Sequence, residues 1–148
     1  MDVLVLQGAN MRRMGRRIPQ KYGTTSVEDL DRIILDHARL LGLSAEIFYT
    51  DREGEAIERI DRAAREGVRG LIMNPAGFIY AGYALRDCLR DQTFPYIEVH
   101  LSNSAGKGMG SKSVTGEASR AYVCGFGPDS YRTALEGMAM LLDGLPLQ

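Results

Sequence analysis

Short apolar runs alternate along the chain with longer stretches in which apolar residues return every three or four positions. That alternation predicts a repeated βα unit. Residues 2–7 (DVLVLQ) form the first run, too continuous for a half-exposed strand and ended by Gly8. A helix is expected from Val27, capped by Thr25 or Ser26, with Glu28 and Asp29 at its positive end and Leu30, Ile33, Ile34 and Leu41 at helical spacing. Gly42 is expected to end it. Residues 44–49 (SAEIFY) predict a second strand, 55–65 an amphipathic helix through Ile57, Ile60 and Ala64, and 70–74 (GLIMN) a third strand. A helix over about 80–91, strands at 96–100 (YIEVH) and 121–124 (AYVC), and a closing helix from about Asp129 complete the series. Five βα repeats predict one parallel sheet with helices on both faces, and ligands of such sheets bind outside the carboxyl ends of the strands.

Two segments break the pattern. Residues 8–23 (GANMRRMGRRIPQKYG) carry three glycines, a proline and five cations and read as a functional loop, and residues 104–116 form a Gly-, Ser- and Lys-rich stretch. With 148 residues and 45% hydrophobic content, a single domain over residues 1–148 is expected. Lys+Arg 18 against Asp+Glu 19 gives a net charge of -1 and hence no basic field for nucleic acid, so a small anion needs a local site. The apolar runs are strand-sized, short of the ~20 residues that span a bilayer. The amino terminus shows no signal pattern, so no membrane attachment and a cytoplasmic location are expected. Cys88 and Cys124 lack metal or redox spacing and read as buried reduced thiols.

The strand ends carry the chemistry. Asn10 follows the first strand, Asn74 ends the third, and Glu98 and His100 stand on the fourth, so all are expected to converge at one edge of the sheet. Alternation puts Glu98 and His100 on one face, where a carboxylate sets the tautomer or charge of an imidazole. Taken alone, His100 reads equally as a hydrogen-bonded core histidine. Ser102 and the backbone where this strand leaves the sheet would make an anion corner. In the first loop Arg17 and Tyr22 flank Pro19 at a spacing that a folded-back loop brings together. A guanidinium beside a phenol lowers a pKa of about 10 and makes a usable base, while the plain alternative is a solvated basic loop with Tyr22 packed at its root.

The stretch GANMRRMGRRIPQKYGTTSVEDL resembles the type II 3-dehydroquinate dehydratase pattern GPNLNLLGxREPxxYGxxTLxDI, with NPAG, ALRDCL, PYIEVHLSN and CGFGPDSYRTAL following at that family's intervals. The resemblance covers nearly the whole chain and implies a flavodoxin-like three-layer α/β sandwich with a five-stranded parallel sheet. It implies that Tyr22, held as tyrosinate by Arg17, takes a proton beside a ring ketone, that Asn10 holds a water on the enolate, and that His100, oriented by Glu98, protonates the leaving hydroxyl. It further implies that Leu101 and Ser102 hold the substrate carboxylate, that Asn74 binds the ring, and that Asp87 reaches a neighbouring subunit in a dodecamer of trimers. No metal and no cofactor is implied; the partner is a small anionic cyclic substrate.

The chain also departs from that pattern. NPAGFIYAG stands for NPGAYTHTS, so Tyr80 replaces a substrate-binding histidine, with Ile79 and Gly82 for threonine and serine. The lid HAREEFRHHS becomes SAGKGMGSKS, leaving Lys107 and Lys112 as its cations, and ammonium does not reproduce a bidentate guanidinium. The expected activity is dehydration of 3-dehydroquinate in shikimate and aromatic amino acid biosynthesis. The alternatives are the same elimination on a related cyclic hydroxy-keto acid, or a catalytically silent relative. Flavin binding and phospho-receiver chemistry fit worse, since the glycine pattern is weak and the first strand ends without an acidic pair.

Overall fold

The computed structural model describes residues 1–16, 24–104 and 113–144. Strands β1 (Val3–Ala9), β2 (Ala45–Tyr49), β3 (Gly70–Ala76), β4 (Tyr96–His100) and β5 (Ala121–Cys124) alternate with helices α1 (Val27–Leu40), α2 (Glu53–Arg65), α3 (Tyr83–Arg90) and α4 (Asp129–Leu142). All neighbouring strands pair in parallel, in the order β2-β1-β3-β4-β5. This is the parallel sheet with helices on both faces that the alternation predicts, and the flavodoxin-like α/β sandwich that the family resemblance implies. Its topological switch lies between β1 and β3, where the chain reverses its direction of strand addition, and ligands of such sheets bind beyond the carboxyl ends at that point.

Side-chain alternation divides the core into two layers. Val3, Val5, Ile72, Ile97 and Val99 pack with α1 and α4 through Leu30, Ile34, Tyr131 and Leu135. Leu4, Leu6, Leu71 and Met73 pack on the other face with α2 and α3 through Ile60, Ala63, Leu85 and Leu89. Both faces of the inner strands are buried, which is why their sequences read as continuous apolar runs. Ser26 is the cap of α1, its hydroxyl accepting the Asp29 N–H at 3.0 Å. Among the described residues no helix is long and apolar enough to cross a membrane.

Several boundaries differ from the sequence pattern, each for a physical reason. Strands β1 and β3 run two residues past their apolar stretches because the ladder continues to Ala9 opposite Ala76. The helix expected over 80–91 begins only at Tyr83, and Tyr80 belongs to a separate 3₁₀ turn, Gly77–Tyr80. The chain turns sharply at Gly82, where a β-carbon would stand 2.6 Å from the Phe78 carbonyl oxygen. The first loop is not wholly polar at its root. A 3₁₀ turn over Met11–Arg13 sets Met11 and Met14 three residues apart, and both enter the core. The two cysteines are free thiols but only half-buried, a correction to the expectation of buried ones; burial pushes the Cys88 thiol up to about 11, assisted by Asp61.

The crossing of β1 and β3 is tight and strained. A β-carbon on Gly8 would lie 2.2 Å from the Pro75 carbonyl oxygen, a backbone atom that cannot swing aside. One residue later Ala76 adopts φ 46 and ψ -116, a region that favours glycine, at the position where the family pattern NPGAYTHTS carries one. The Asn74 side chain supports this turn by accepting the Ala76 N–H at 3.1 Å. Ala76→Gly is therefore expected to stabilise the fold by roughly 1 kcal/mol, and Gly8→Ala to destabilise it by about 2–3 kcal/mol, both read by urea or thermal unfolding.

Candidate active site

Strand β4 builds the centre of the site. Tyr96, Glu98 and His100 alternate onto the α3 side of the sheet, and the Glu98 carboxylate is fully buried among them. Glu98 Oε1 lies 2.8 Å from His100 Nε2. Glu98 Oε2 accepts the Tyr96 hydroxyl at 2.6 Å and the Thr115 hydroxyl at 2.7 Å. Thr115 is in turn 3.1 Å from the Ser113 hydroxyl, which accepts the Gly116 N–H at 3.0 Å. Burial alone would raise the Glu98 pKa, but hydrogen bonds from His100, Ser113, Tyr96 and Thr115 outweigh it and hold the carboxyl below its ordinary value. The Tyr96 phenol is pushed far up by burial and by the adjacent carboxylate, so it acts as a donor.

The imidazole is also held from its face. The register Glu98↔Tyr122 sets the Tyr122 side chain on the same side of the sheet, and its ring stacks on His100 with centroids 5.0 Å apart and planes at 29°. The Tyr122 hydroxyl meets the Ser104 hydroxyl at 2.8 Å. Burial keeps this phenol above its ordinary range, with the Ser104 hydrogen bond opposing.

The other strand ends lie beside β4. Asn10 follows β1 with a left-handed backbone, φ 76, which asparagine tolerates, and its N–H donates to Asp51 Oδ1 at 2.6 Å. Arg12 reaches back over Tyr49, donating to its carbonyl at 2.9 Å with the guanidinium 5.4 Å from the ring centre, while the Tyr49 hydroxyl donates to Asp31 at 2.7 Å. The root of the first loop is thus tied to the end of β2. Asn74, also buried, faces the α4 side rather than the His100 side, next to the Tyr131 hydroxyl that donates to Gln7 Oε1 at 2.6 Å. Asn10, Asn74 and His100 therefore share the carboxyl edge of three adjacent strands, while Asn74 and the Glu98–His100 pair are presented from opposite faces.

The remaining candidates lie on neighbouring elements. Tyr80 is 61% exposed at the end of its 3₁₀ turn, and that turn is joined to the segment after residue 112 by the Val114 N–H donating to the Ile79 carbonyl at 3.0 Å. Asp87 projects outward from α3 and pairs with Arg86 at 3.2 Å. The Leu101 carbonyl accepts the Gly127 N–H at 2.8 Å, so the turn before α4 backs the exit from β4, and Ser102 follows at that exit. Arg17, Tyr22, Lys107 and Lys112 lie outside the described residues. Among the described residues no cluster of three or more His, Cys, Asp or Glu side chains is arranged to hold a metal. Sequence reasoning passed over Tyr96, Ser113, Thr115 and Tyr122. Tyr96 was accessible to it, being two positions before Glu98 and so on the same face. The other three reach the site through cross-strand register and a non-local turn.

The chain is similar to known proteins over nearly its whole length. The family model described as dehydroquinase class II matches residues 1–139. The 3-dehydroquinate dehydratase of Thermus thermophilus is 39% identical over 142 residues, covering 95% of either chain. The crystal structure of a type II dehydroquinase from Propionibacterium acnes superposes with a TM-score of 0.87 at 35% identity, covering 95% of this chain and 97% of that one. A type II dehydroquinase from Butyrivibrio crossotus gives a TM-score of 0.89 at 28% identity, over 93% and 97%.

The Glu98 network makes stability sensitive to acid. Because the folded carboxyl titrates below its ordinary value of 4.5, its contribution is complete above that pH and is lost as pH falls through the folded value. Tyr96→Phe and Thr115→Val should each lower stability by about 1.5–3 kcal/mol at neutral pH, the scale of a hydrogen bond to a charged group. Glu98→Gln should flatten the fall in stability below pH 4.5, measured as melting temperature against pH.

Proposed function

The chain belongs to the class II dehydroquinase family, and on that premise we propose that it removes water from 3-dehydroquinate to give 3-dehydroshikimate, acting as a hydro-lyase. The observation that carries this reading is the buried Glu98 carboxylate on His100 Nε2 at the carboxyl edge of the sheet. An ionised partner on Nε2 directs that N–H inward and leaves Nδ1 as the nitrogen for proton transfer.

In the proposed reaction the Tyr22 phenolate, beside the Arg17 guanidinium, takes a proton from the carbon next to the ketone. Electrons of the broken C–H bond move to the carbonyl oxygen, and a water held by Asn10 stabilises the resulting enolate. The enolate then collapses, the C–O bond to the neighbouring hydroxyl breaks, and His100 supplies the proton with which that group leaves as water. Leu101 and Ser102 are assigned to the substrate carboxylate, Asn74 to the ring, Tyr80 to the wall where the family pattern has histidine, and Lys107 to the cover. Asp87 is assigned to the site of a neighbouring copy, which fits its outward projection and implies a homo-oligomer of trimers assembled into a dodecamer. The same reading puts the enzyme in the cytoplasm, in the route to shikimate.

A related substrate is favoured by one observation, the exposed Tyr80 phenol standing where an imidazole would meet ring hydroxyls. The two readings part in a single assay that follows the conjugated enone in the ultraviolet. Turnover of 3-dehydroquinate is expected, with Tyr22→Phe and His100→Ala each reducing kcat by about 10²–10⁴-fold. A KM that drops at least tenfold in Tyr80→His would identify the phenol as the obstacle to this substrate. Absent turnover in the unaltered protein would overturn the assignment.

A further inference from the structure

We propose that Tyr122 is a positioning residue for His100, its ring fixing the plane of the imidazole from the side that Glu98 does not control. The inference rests on the dehydratase reading for its kinetic consequence but on geometry for its substance. A hydrogen bond from Nε2 to a carboxylate fixes one point of the ring and leaves rotation about that axis open. Stacking removes this freedom: the rings lie 5.0 Å apart, inclined by only 29°, within the range of offset aromatic pairs. The tyrosine is itself held at both ends. Its backbone is locked by pairing with Glu98 in the β4–β5 ladder, and its hydroxyl is tied to Ser104 at 2.8 Å.

The arrangement is economical in sequence. Glu98 and Tyr122 are register partners, and so are His100 and Cys124, so one two-residue step of the ladder carries the acid, its carboxylate and its stacking partner on a single face. A side chain chosen only to cover the end of β5 would not need an aromatic ring parallel to the imidazole, nor a polar tip joined to the segment that follows β4. Tyr122 is also 42% exposed, so it is not a core residue, and its ring and its hydroxyl contact His100 and Ser104.

The test compares the full-length protein with Tyr122→Phe, Tyr122→Leu and Tyr122→Val, the last being a strong strand former in case leucine disturbs the ladder. Three quantities are read: kcat and KM for 3-dehydroquinate, the melting temperature, and the NMR signals of the His100 ring. The chain has only two histidines, so His37→Gln separates them. The phenylalanine variant keeps the ring and should retain kcat within about twofold. The leucine and valine variants should lose about tenfold or more in kcat with KM changed less than about threefold and melting nearly unchanged, as expected when a general acid loses its alignment. In those two variants the His100 ring signals should move as well, and in Tyr122→Phe they should stay. Full kcat in the leucine and valine variants overturns the proposal, and so does an equal loss in all three. If the unaltered protein does not turn over 3-dehydroquinate, the dehydratase reading fails by itself, and the ring signals still decide whether Tyr122 orients His100.

Discussion

A carboxylate taken wholly out of water must be paid for by its neighbours, and at Glu98 the neighbours are the site. An isolated buried charge costs several kcal/mol, and it persists only where hydrogen bonds occupy its lone pairs. Here one oxygen faces the His100 imidazole and the other takes two hydroxyl donors, from Tyr96 and Thr115. Those hydroxyls cannot serve elsewhere while the charge remains. The segment over 113–118, the fourth strand and the histidine are therefore held in one arrangement by the need to satisfy a single anion.

The fold makes this possible by what it leaves at the carboxyl edge. Parallel strands end side by side, and the order of strand addition reverses between β1 and β3, the point where such sheets take their ligands. Residues that close the edge bear the strain, as Ala76 does with its positive φ and Asn10 does with less difficulty because asparagine accepts that conformation. Elsewhere the loops are tied at their roots. Asp51 receives the Asn10 N–H, and Arg12 lies on Tyr49, so the first loop leaves the sheet in a defined direction.

Two tyrosines stand out near the carboxyl edge: Tyr80 is an exposed phenol at the position where the family pattern has histidine, and Tyr122 is stacked on the His100 imidazole. Aromatic rings bring rigid area and a polar tip with few rotatable bonds, which suits both shaping a wall and holding a ring in plane. The bond-breaking groups expected from the motif are retained in sequence, while Tyr80, Ile79 and Gly82 depart from the pattern beside them.

Much of the architecture could be read from residue order alone. Continuous apolar strands announced a sheet buried on both faces, a Thr25 or Ser26 cap and the acidic first turn announced α1, and alternation joined Glu98 to His100, because each of these depends only on near neighbours. The late start of α3 was not legible, since it turns on the closeness of Gly82 to the Phe78 carbonyl, nor was the entry of Met11 and Met14 into the core from a loop that looked polar. Asn74 showed the limit most plainly: sequence put it at the correct edge, but strand parity turned it toward Tyr131 and away from His100. Thr115 and Tyr122 reach His100 and its carboxylate from 15 and more positions along the chain, through a register that no local pattern encodes. Short-range sterics and periodicity sufficed for the elements and for the acid pair, whereas the company that pair keeps was decided by long-range packing.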